Sequence, residues 1–205
     1  MISPYGGGAG SSKHGIKVKR TGGTWSEKYQ LGNSIADWDI APPDEYFNEL
    51  FRVSKNQIIW GGNYFSLPPT QCFIIWDKRL PELFSMAMAE YAWCSIQGNA
   101  KIFRLPPWGD GGNTSKNAEK RFHPTQKPVK LYRWLLANYA KPGDKILDTH
   151  VGSGSSLIAC HEAGYEYIGF EIDGRYFGAA QERIRGCMAQ VKLGDLPGHE
   201  NITLL

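Results

Sequence analysis

The sequence predicts an α/β fold, a three-layer sandwich built around a mostly parallel, twisted sheet. Residues 145–173, KILDTHVGSGSSLIACHEAGYEYIGFEID, read as a strand, a glycine turn, a helix and a second strand. Each of the two strands ends in an acid, Asp148 and Glu171. Parallel strands joined by a crossover helix are the unit of nucleotide-binding α/β sheets. Short apolar runs and amphipathic stretches alternate along the rest of the chain, as expected when helices cover both faces of a sheet.

In the first half of the chain, a helix is predicted over residues 44–53. The preceding Pro42 and Pro43 suit a first helical turn, and the acids Asp44 and Glu45 suit the helix dipole. Its inward face is predicted to consist of Tyr46, Phe47, Leu50 and Phe51. Strands are predicted at 57–60, 72–76 and 101–105, and a helix is predicted at 82–91 with Leu83, Met86, Ala87 and Tyr91 facing inward.

In the second half, a helix is predicted over residues 129–140, before the strand at 145–147 that ends in Asp148. The glycine turn leads into a helix over 155–161, and a strand follows at 167–170. A last helix begins at 174 and ends near 190, and residues 191–205 are predicted to be a loose tail. The inward residues are predicted to be Leu131, Trp134, Leu135 and Tyr139 in the first of these helices and Phe177, Ala180 and Ile184 in the last.

The glycine turn predicts a ligand site. Glycines let a ligand approach the backbone closely, and the free N–H groups at the start of the following helix face it. Glu171, at the tip of the second strand, is placed to accept hydrogen bonds from ribose hydroxyls. A dinucleotide fingerprint would need a third glycine where this chain has Leu157. Asp148 would repel a pyrophosphate but attract an ammonium or sulfonium group.

Composition restricts the function classes only mildly. At 205 residues the chain is one domain, or one domain with an inserted lobe. Its net charge of +3 allows an anionic partner without requiring one. The four cysteines form no C-x-x-C pair, which disfavours metal and disulfide roles and fits a reduced, cytoplasmic setting. We see no signal peptide and no apolar run long enough to cross a membrane.

Two motifs resemble those of one enzyme family. DTHVGSGSS at residues 148–156 resembles the S-adenosylmethionine (SAM) motif, D-P-F-x-G-S-G-T, of DNA amino-methyltransferases. HPTQKPVKL at residues 123–131 is similar to the segment that precedes this motif in the same enzymes. The chain also follows the order of the class in which the catalytic motif comes first. The resemblance implies a single catalytic domain over residues 1–190, in the cytoplasm of a bacterium or a phage-infected host.

The resemblance implies SAM as the cofactor and names the residues that hold it. The cofactor would lie over the glycine turn and beside Glu171, and the neighbourhood of Lys127 would hold its methionine part. The implied cofactor-binding residues are Asp148, Thr149, His150, Gly152, Ser153, Gly154, Glu171, Lys127 and Pro128. His123 is expected to be a capping or packing residue rather than a catalytic one, and nothing in the chain marks a metal site.

The catalytic tetrapeptide is the point at which the sequence departs from the family. The family has (D/N/S)-P-P-(Y/F), whereas this chain has ISPY at residues 2–5. The resemblance implies Ser3, Pro4 and Tyr5 as catalytic residues, with the aromatic ring stacking on a flipped base. The side chain of Ile2 offers no hydrogen-bond acceptor. MISPYG therefore has a second interpretation, a plain loop at the start of a shortened reading frame, without the upstream strand that the family has.

Two basic, glycine-rich segments are candidates for DNA contact. Residues 6–24 follow the tetrapeptide, and residues 105–122 occupy the position of the family's target-recognition region as a short insertion. Cations there can pair with phosphates, and base edges can be read from the second segment. An ordinary solvated loop is about equally compatible with each segment. The candidate DNA-binding residues are Lys13, Lys17, Lys19, Arg20, Lys116, Lys120 and Arg121.

The predicted function is SAM-dependent methylation of the exocyclic amine of a base in duplex DNA, with adenine N6 preferred over cytosine N4. A catalytically impaired remnant that binds SAM or DNA is the second hypothesis, because of Ile2 and the missing upstream strand. A nicotinamide oxidoreductase is the alternative at the level of the fold, and Leu157 argues against it.

Overall fold

The computed structural model describes residues 41–82, 86–109 and 121–189. Several predictions fall outside these residues, among them the catalytic tetrapeptide and most of the two basic segments. The candidate site residues outside the described parts are Ser3, Pro4, Tyr5, Lys13, Lys17, Lys19, Arg20, Lys116 and Lys120.

Helices and strands alternate along the described residues. The helices are α1 (Asp44–Val53), α2 (Val129–Tyr139), α3 (Ser155–Ala163) and α4 (Gly174–Met188). The strands are β1 (Ile58–Trp60), β2 (Phe73–Asp77), β3 (Ala89–Cys94), β4 (Lys101–Arg104), β5 (Lys145–Asp148) and β6 (Glu166–Gly169). A short 3₁₀ helix, Gly62–Tyr64, follows β1. The sequence predicted the four α-helices and every strand except β3 within a few residues.

The strands form a mixed four-stranded sheet and a parallel pair. The four-stranded sheet has the order β1-β3-β2-β4, in which β3 is antiparallel to both neighbours and β2 is parallel to β4. Strands β5 and β6 pair in parallel through Lys145–Glu166 to Asp148–Gly169, with α3 as their crossover. The α/β class is therefore confirmed, and β3 is the strand that runs antiparallel to both of its neighbours.

Helices cover both faces of the four-stranded sheet. On one face, Ile74, Ala92 and Cys94 pack against Leu135 of α2. Trp93 alternates with Ala92 and Cys94 along β3, so its side chain points to the opposite face. There it meets Phe51 of α1, with ring centroids 5.9 Å apart. The helix–sheet–helix order gives the three layers that the sequence predicted.

The predicted helix over residues 82–91 is wrong. Residues 89–91 belong to β3, and none of the other described residues in that range is helical. β3 pairs with β1 on one edge and with β2 on the other, over three and five residue pairs respectively. Such pairing outweighs the weak local preference of Met, Ala and Glu for a helix.

The helices around β5 and β6 form a second apolar cluster. Val129 and Leu136 of α2 pack against Ile158, Ala159 and Cys160 of α3. Helix α4 joins through Ala180, which packs with Val151 and Leu157. The predicted inward position of Phe177 is wrong, because its side chain is 46% exposed while the neighbouring Tyr176 is buried. The side chain of Asp173 caps α4 by accepting from the N–H groups of Arg175 and Tyr176.

Candidate cofactor site

The glycine turn after β5 has a backbone that requires glycine at two positions. Gly152 and Gly154 have φ angles of +53° and +77°, in the left-handed region. A Cβ atom on Gly152 would lie 3.3 Å from the His123 ring, and one on Gly154 would lie 3.1 Å from Ile184. The left-handed backbone and the close packing of His123 and Ile184 therefore both require glycine at these positions.

Glu171 is held directly at this turn. The N–H of Gly152 donates to its Oε2 at 2.7 Å, and the N–H of Asp173 donates to its Oε1 at 3.0 Å. A carboxylate has about four acceptor positions, so roughly two remain for the hydroxyls of a ligand. The next residue, Ile172, is 93% exposed and was not singled out from the sequence. An acceptor and an exposed apolar side chain thus stand side by side.

Asp148 brings a second carboxylate to the turn. The N–H of His150 donates to its Oδ1 at 2.9 Å, and the hydroxyl of Ser156 donates to its Oδ2. Its negative charge is felt by neighbouring groups. Burial, together with a smaller effect of the Asp148 charge, raises the pKa of the Cys160 thiol to about 11. A cationic group of a ligand would be stabilised beside this acid.

Arg183 of α4 donates hydrogen bonds to the turn, and the sequence did not predict this contact. Its Nη1 donates to the carbonyl oxygen of Ser153 and to the hydroxyl of Ser155, both at 2.8 Å. Ser153 and Ser155 are buried, and their hydroxyls lie 3.1 Å apart. No local signal marks an arginine some 30 residues from the turn as its partner, since the contact exists only once α4 packs there.

Helix α1 reaches the same turn through Tyr46. Its hydroxyl lies 2.7 Å from Oγ1 of Thr149, and its ring stands edge-on to His150 with centroids 5.5 Å apart. Burial is the main cause that raises the pKa of Tyr46, and the charge of Asp148 adds to it. Thr149 and His150 stand where the resembling motif has Pro-Phe, and the structure shows that they contact α1.

Residues 123–128 lie against the turn through His123. This side chain is buried, and its ring centroid is 4.3 Å from that of Tyr176. The N–H of Thr125 donates to its Nδ1 at 3.3 Å. Burial lowers the pKa of His123 to about 4; the charge of Glu171 raises it and that of Lys127 lowers it. A neutral imidazole packed on Gly152 supports the shape of the turn.

Lys127 connects this segment to the four-stranded sheet. Its Nζ lies 3.0 Å from Oε2 of Glu90 on β3 and 5.1 Å from the centre of the Trp60 ring. The Nζ of Lys78 lies 2.7 Å from Oε1 of the same Glu90. Pro128, which is buried, ends the segment as the residue before α2. The sequence did not predict the contacts of Glu90 and Lys78 with this segment, because residue 90 was assigned to a helix that does not form.

The structure therefore brings the nine predicted cofactor residues into two connected groups. Seven of them surround the glycine turn, and Lys127 and Pro128 join them through residues 123–126. The set includes two left-handed glycines, an acid with spare acceptor positions, a second acid and a lysine. These groups fit a nucleoside that carries both cationic groups and a carboxylate, as SAM does.

Among the predicted DNA-contacting residues, the structure describes Arg121. Its Nη2 donates to the carbonyl oxygens of Pro124 and Gln126 at 3.4 and 3.3 Å. These bonds tie the guanidinium to the loop that carries His123. Within residues 41–82, 86–109 and 121–189, no group of three or more His, Cys, Asp or Glu side chains is arranged to hold a metal ion. The helices in these same stretches include none that is long and apolar enough to span a bilayer.

The fold and the site define a nucleoside-binding α/β protein, and comparison with known proteins identifies its family. The family model for N6 and N4 methyltransferases, described as DNA methylase, matches residues 17–182. The chain belongs to this DNA methylase family.

Individual relatives match over shorter stretches. The type II methyltransferase M.HpaI of Haemophilus parainfluenzae is 37% identical over 68 residues, which are 33% of this chain and 22% of that protein. The type II methyltransferase M2.DpnII of Streptococcus pneumoniae is 36% identical over 75 residues, 36% of this chain and 28% of that protein. The chain thus spans about a third or less of the curated relatives it matches.

Solved structures also match part of the chain. The M1.HpyAVI–SAM complex is 28% identical, with a TM-score of 0.40 over 54% of this chain and 60% of the other. The cytosine-N4-specific PvuII DNA methyltransferase is 15% identical, with a TM-score of 0.41 over 56% of this chain and 54% of the other.

Proposed function

We propose that this chain transfers the methyl group of SAM to the exocyclic amine of a base in DNA, and that the base is adenine, at N6. The family is that of SAM-dependent DNA methyltransferases, so SAM is the cofactor, as the sequence predicted. The observation that carries the proposal is the glycine turn, with the carboxylate of Glu171 on the N–H of Gly152 at 2.7 Å and Asp148 beside it. Bound there, SAM supplies an electrophilic methyl carbon.

The residues of the turn have separate tasks in this proposal. Glu171 keeps its two spare acceptor positions for the ribose hydroxyls. The exposed side chain of Ile172 packs against one face of the cofactor's adenine ring. This contact removes apolar surface of both groups from water. Asp148 stabilises the ammonium and sulfonium charges of the cofactor. The glycines allow the left-handed path of the backbone, and His123 and Arg183 keep the turn in shape.

Ser3, Pro4 and Tyr5 are the catalytic residues in this proposal. A hydroxyl at Ser3 and the carbonyl of Pro4 would accept hydrogen bonds from the target amine, which keeps its lone pair directed at the methyl carbon. The ring of Tyr5 would stack on a base flipped out of the duplex. Alignment of this kind supplies up to roughly 7–11 kcal/mol in well-oriented reactions. The basic residues at 13–20 and 116–121 would neutralise DNA phosphates.

A second candidate is a remnant that binds SAM or DNA without transferring a methyl group. The observation that favours it is Ile2, which stands where the resembling tetrapeptide has a hydrogen-bonding side chain. Restoring Asp-Pro-Pro-Tyr at residues 2–5 would rescue transfer if this tetrapeptide is the only lesion.

Methyl transfer to DNA tests the proposal. The protein is incubated with methyl-labelled SAM and unmethylated DNA, the DNA is digested to nucleosides, and the labelled base is identified. We expect the label on N6 of adenine. Label on N4 of cytosine would keep the reaction and overturn the choice of base. Absence of label with SAM still bound would support the remnant, and absence of SAM binding would overturn the assignment of the turn.

A further inference from the structure

We propose that Lys78, Glu90 and Lys127 form a carboxylate-binding subsite, and that Lys78 gives this subsite its positive charge. The ligand group it receives is the carboxylate of the cofactor's methionine part, so the inference rests on the proposed use of SAM. Lys127 was expected near this part of the cofactor. Lys78 and Glu90 lie outside every motif in the sequence, and only the fold brings them to it.

Two ammonium groups share one carboxylate in this cluster. Lys78 and Lys127 lie 2.7 and 3.0 Å from different oxygens of Glu90. The three side chains are largely withdrawn from water, with 6%, 23% and 13% exposure for Lys78, Glu90 and Lys127. Within the described parts of the chain, neither lysine has an ion-pair partner other than Glu90. The cluster therefore holds one more positive charge than negative charge.

Two aromatic rings stabilise the ammonium groups but do not neutralise the excess positive charge. The Nζ of Lys78 lies 5.2 Å from the centre of the Trp76 ring, and that of Lys127 lies 5.1 Å from the centre of the Trp60 ring. A ring face stabilises an ammonium by less than withdrawing the ion from water costs. An anionic ligand group offsets the remainder. The ammonium groups of Lys78 and Lys127 hold the pKa of Glu90 at about 2, so Glu90 stays ionised.

The cluster lies at the edge of the sheet where a ligand is expected. Trp60 is the last residue of β1, and Lys78 directly follows the last residue of β2. Both strands run in the same direction, since each is antiparallel to β3. Ligands of open α/β sheets bind at the carboxyl ends of such strands.

Residues 123–127 connect the cluster to the glycine turn. His123 packs on Gly152, and its pKa responds in opposite directions to the charges of Glu171 and Lys127. Both charges therefore act on the same imidazole. A ligand over the turn contacts Glu171, which accepts hydrogen bonds from the ribose hydroxyls. At its other end it contacts the cationic cluster that includes Lys127. This arrangement orients a zwitterionic tail, with its carboxylate toward the lysines and its cationic groups toward Asp148.

Lys78 is the residue that distinguishes a subsite from a structural ion pair. Glu90 and Lys127 alone would be a neutral pair with little attraction for a carboxylate. With Lys78, the same pair gains a net positive charge in a partly dry environment, where charge interactions are stronger than in water. Replacement of Lys78 by methionine keeps an unbranched side chain as far as Cε and removes the ammonium.

The test compares two ligands in two proteins by calorimetric titration. S-adenosylhomocysteine carries the carboxylate, and decarboxylated S-adenosylhomocysteine keeps the ammonium but lacks the carboxylate. We expect the unaltered protein to bind the first at least tenfold more tightly. In Lys78→Met this preference should fall to about threefold or less, mostly through weaker binding of the carboxylate-bearing ligand. Lys101→Met is the matched control, because the Nζ of Lys101 also lies over a ring, 5.2 Å from the centre of Tyr139.

Each outcome decides something different. Equal loss of both ligands in Lys78→Met would show that Lys78 only supports the fold and would overturn the subsite. Equal binding of the two ligands by the unaltered protein would overturn it without any variant, even if Lys78→Met fails to fold. Failure of the unaltered protein to bind either ligand would instead overturn the proposed use of SAM. A loss of preference in Lys101→Met equal to that in Lys78→Met would also count against the subsite.

Discussion

At the scale of the residue, the site depends on groups whose neighbours restrict them closely. Gly152 combines a φ of +53° with a position against the His123 ring. Its N–H is bonded to Glu171, so a shift of the turn would move the carboxylate as well. A single substitution at Gly152 should therefore weaken ligand binding in addition to lowering the stability of the fold.

Gly152→Ala tests this coupling. The left-handed backbone costs an alanine about 1–2 kcal/mol, and the added Cβ atom would press on the His123 ring. We expect S-adenosylhomocysteine to bind at least tenfold more weakly, as measured by calorimetric titration. Gly143→Ala is the control, since Gly143 has a φ of +86° and nothing within 4 Å of an added Cβ atom. Both variants share the cost of the left-handed backbone, and Gly152→Ala adds the contact with His123. Equal ligand binding by the two would contradict the role given to that contact.

At the scale of the element, α4 acts as the support of the glycine turn. Its first turn is capped by Asp173, whose own N–H donates to Glu171. Its third turn carries Arg183, which donates to Ser153 and Ser155. Ile184 packs where a side chain on Gly154 would stand. One helix thus holds both the acid loop and the glycine turn, and this explains how two segments nearly 20 residues apart keep a common geometry.

Arg183→Met should loosen the turn. Hydrogen bonds that involve a charged group contribute about 1.5–3 kcal/mol, so we expect binding of S-adenosylhomocysteine to weaken roughly 10- to 100-fold. Ser155→Ala removes one of the acceptors, and the double variant should cost less than the sum of the single ones. The control is Arg185→Met on the same helix, where the side chain is exposed and bonds to Gln181. Strictly additive losses in the Arg183 and Ser155 variants would refute the coupling.

At the scale of the whole molecule, buried titratable groups make the stability depend on pH. Burial lowers the pKa of His123 from 6.5 to about 4. Between these pH values the unfolded chain binds a proton at His123 and the folded chain does not. Glu90 has its pKa lowered from 4.5 to about 2, because Lys127 and Lys78 outweigh the effect of burial. Both depressed pKa values stabilise the fold above the unfolded value, and this stabilisation is lost as the pH falls.

Urea unfolding at several pH values tests this dependence. We expect the free energy of unfolding to decrease from pH 7 to pH 4 through His123, and to decrease further below pH 4.5 through Glu90. The part due to Glu90 is on the order of 3 kcal/mol in full. His123→Asn should flatten the slope between pH 6.5 and 4. An unaltered slope in His123→Asn would show that this histidine is not held neutral by the fold.

The sequence by itself determined the strand–turn–helix–strand unit and its two acids. These signals are local, because glycine spacing, apolar runs and the acid at each strand end all lie within residues 145–173. It also placed HPTQKP beside the turn, through the resemblance to DNA amino-methyltransferases. The membership of the DNA methylase family and the α/β class followed from the same stretches, and both are confirmed.

Only the tertiary structure decided which distant residues complete the site. Strand β3 forms because two neighbours pair with it, and local propensity contains no information about them. The assignment of Glu90 to a strand, and with it the ion cluster with Lys78 and Lys127, depends on that pairing. Arg183 likewise reaches Ser153 from 30 residues away. Such contacts arise from packing between elements, and no periodicity along the chain records them.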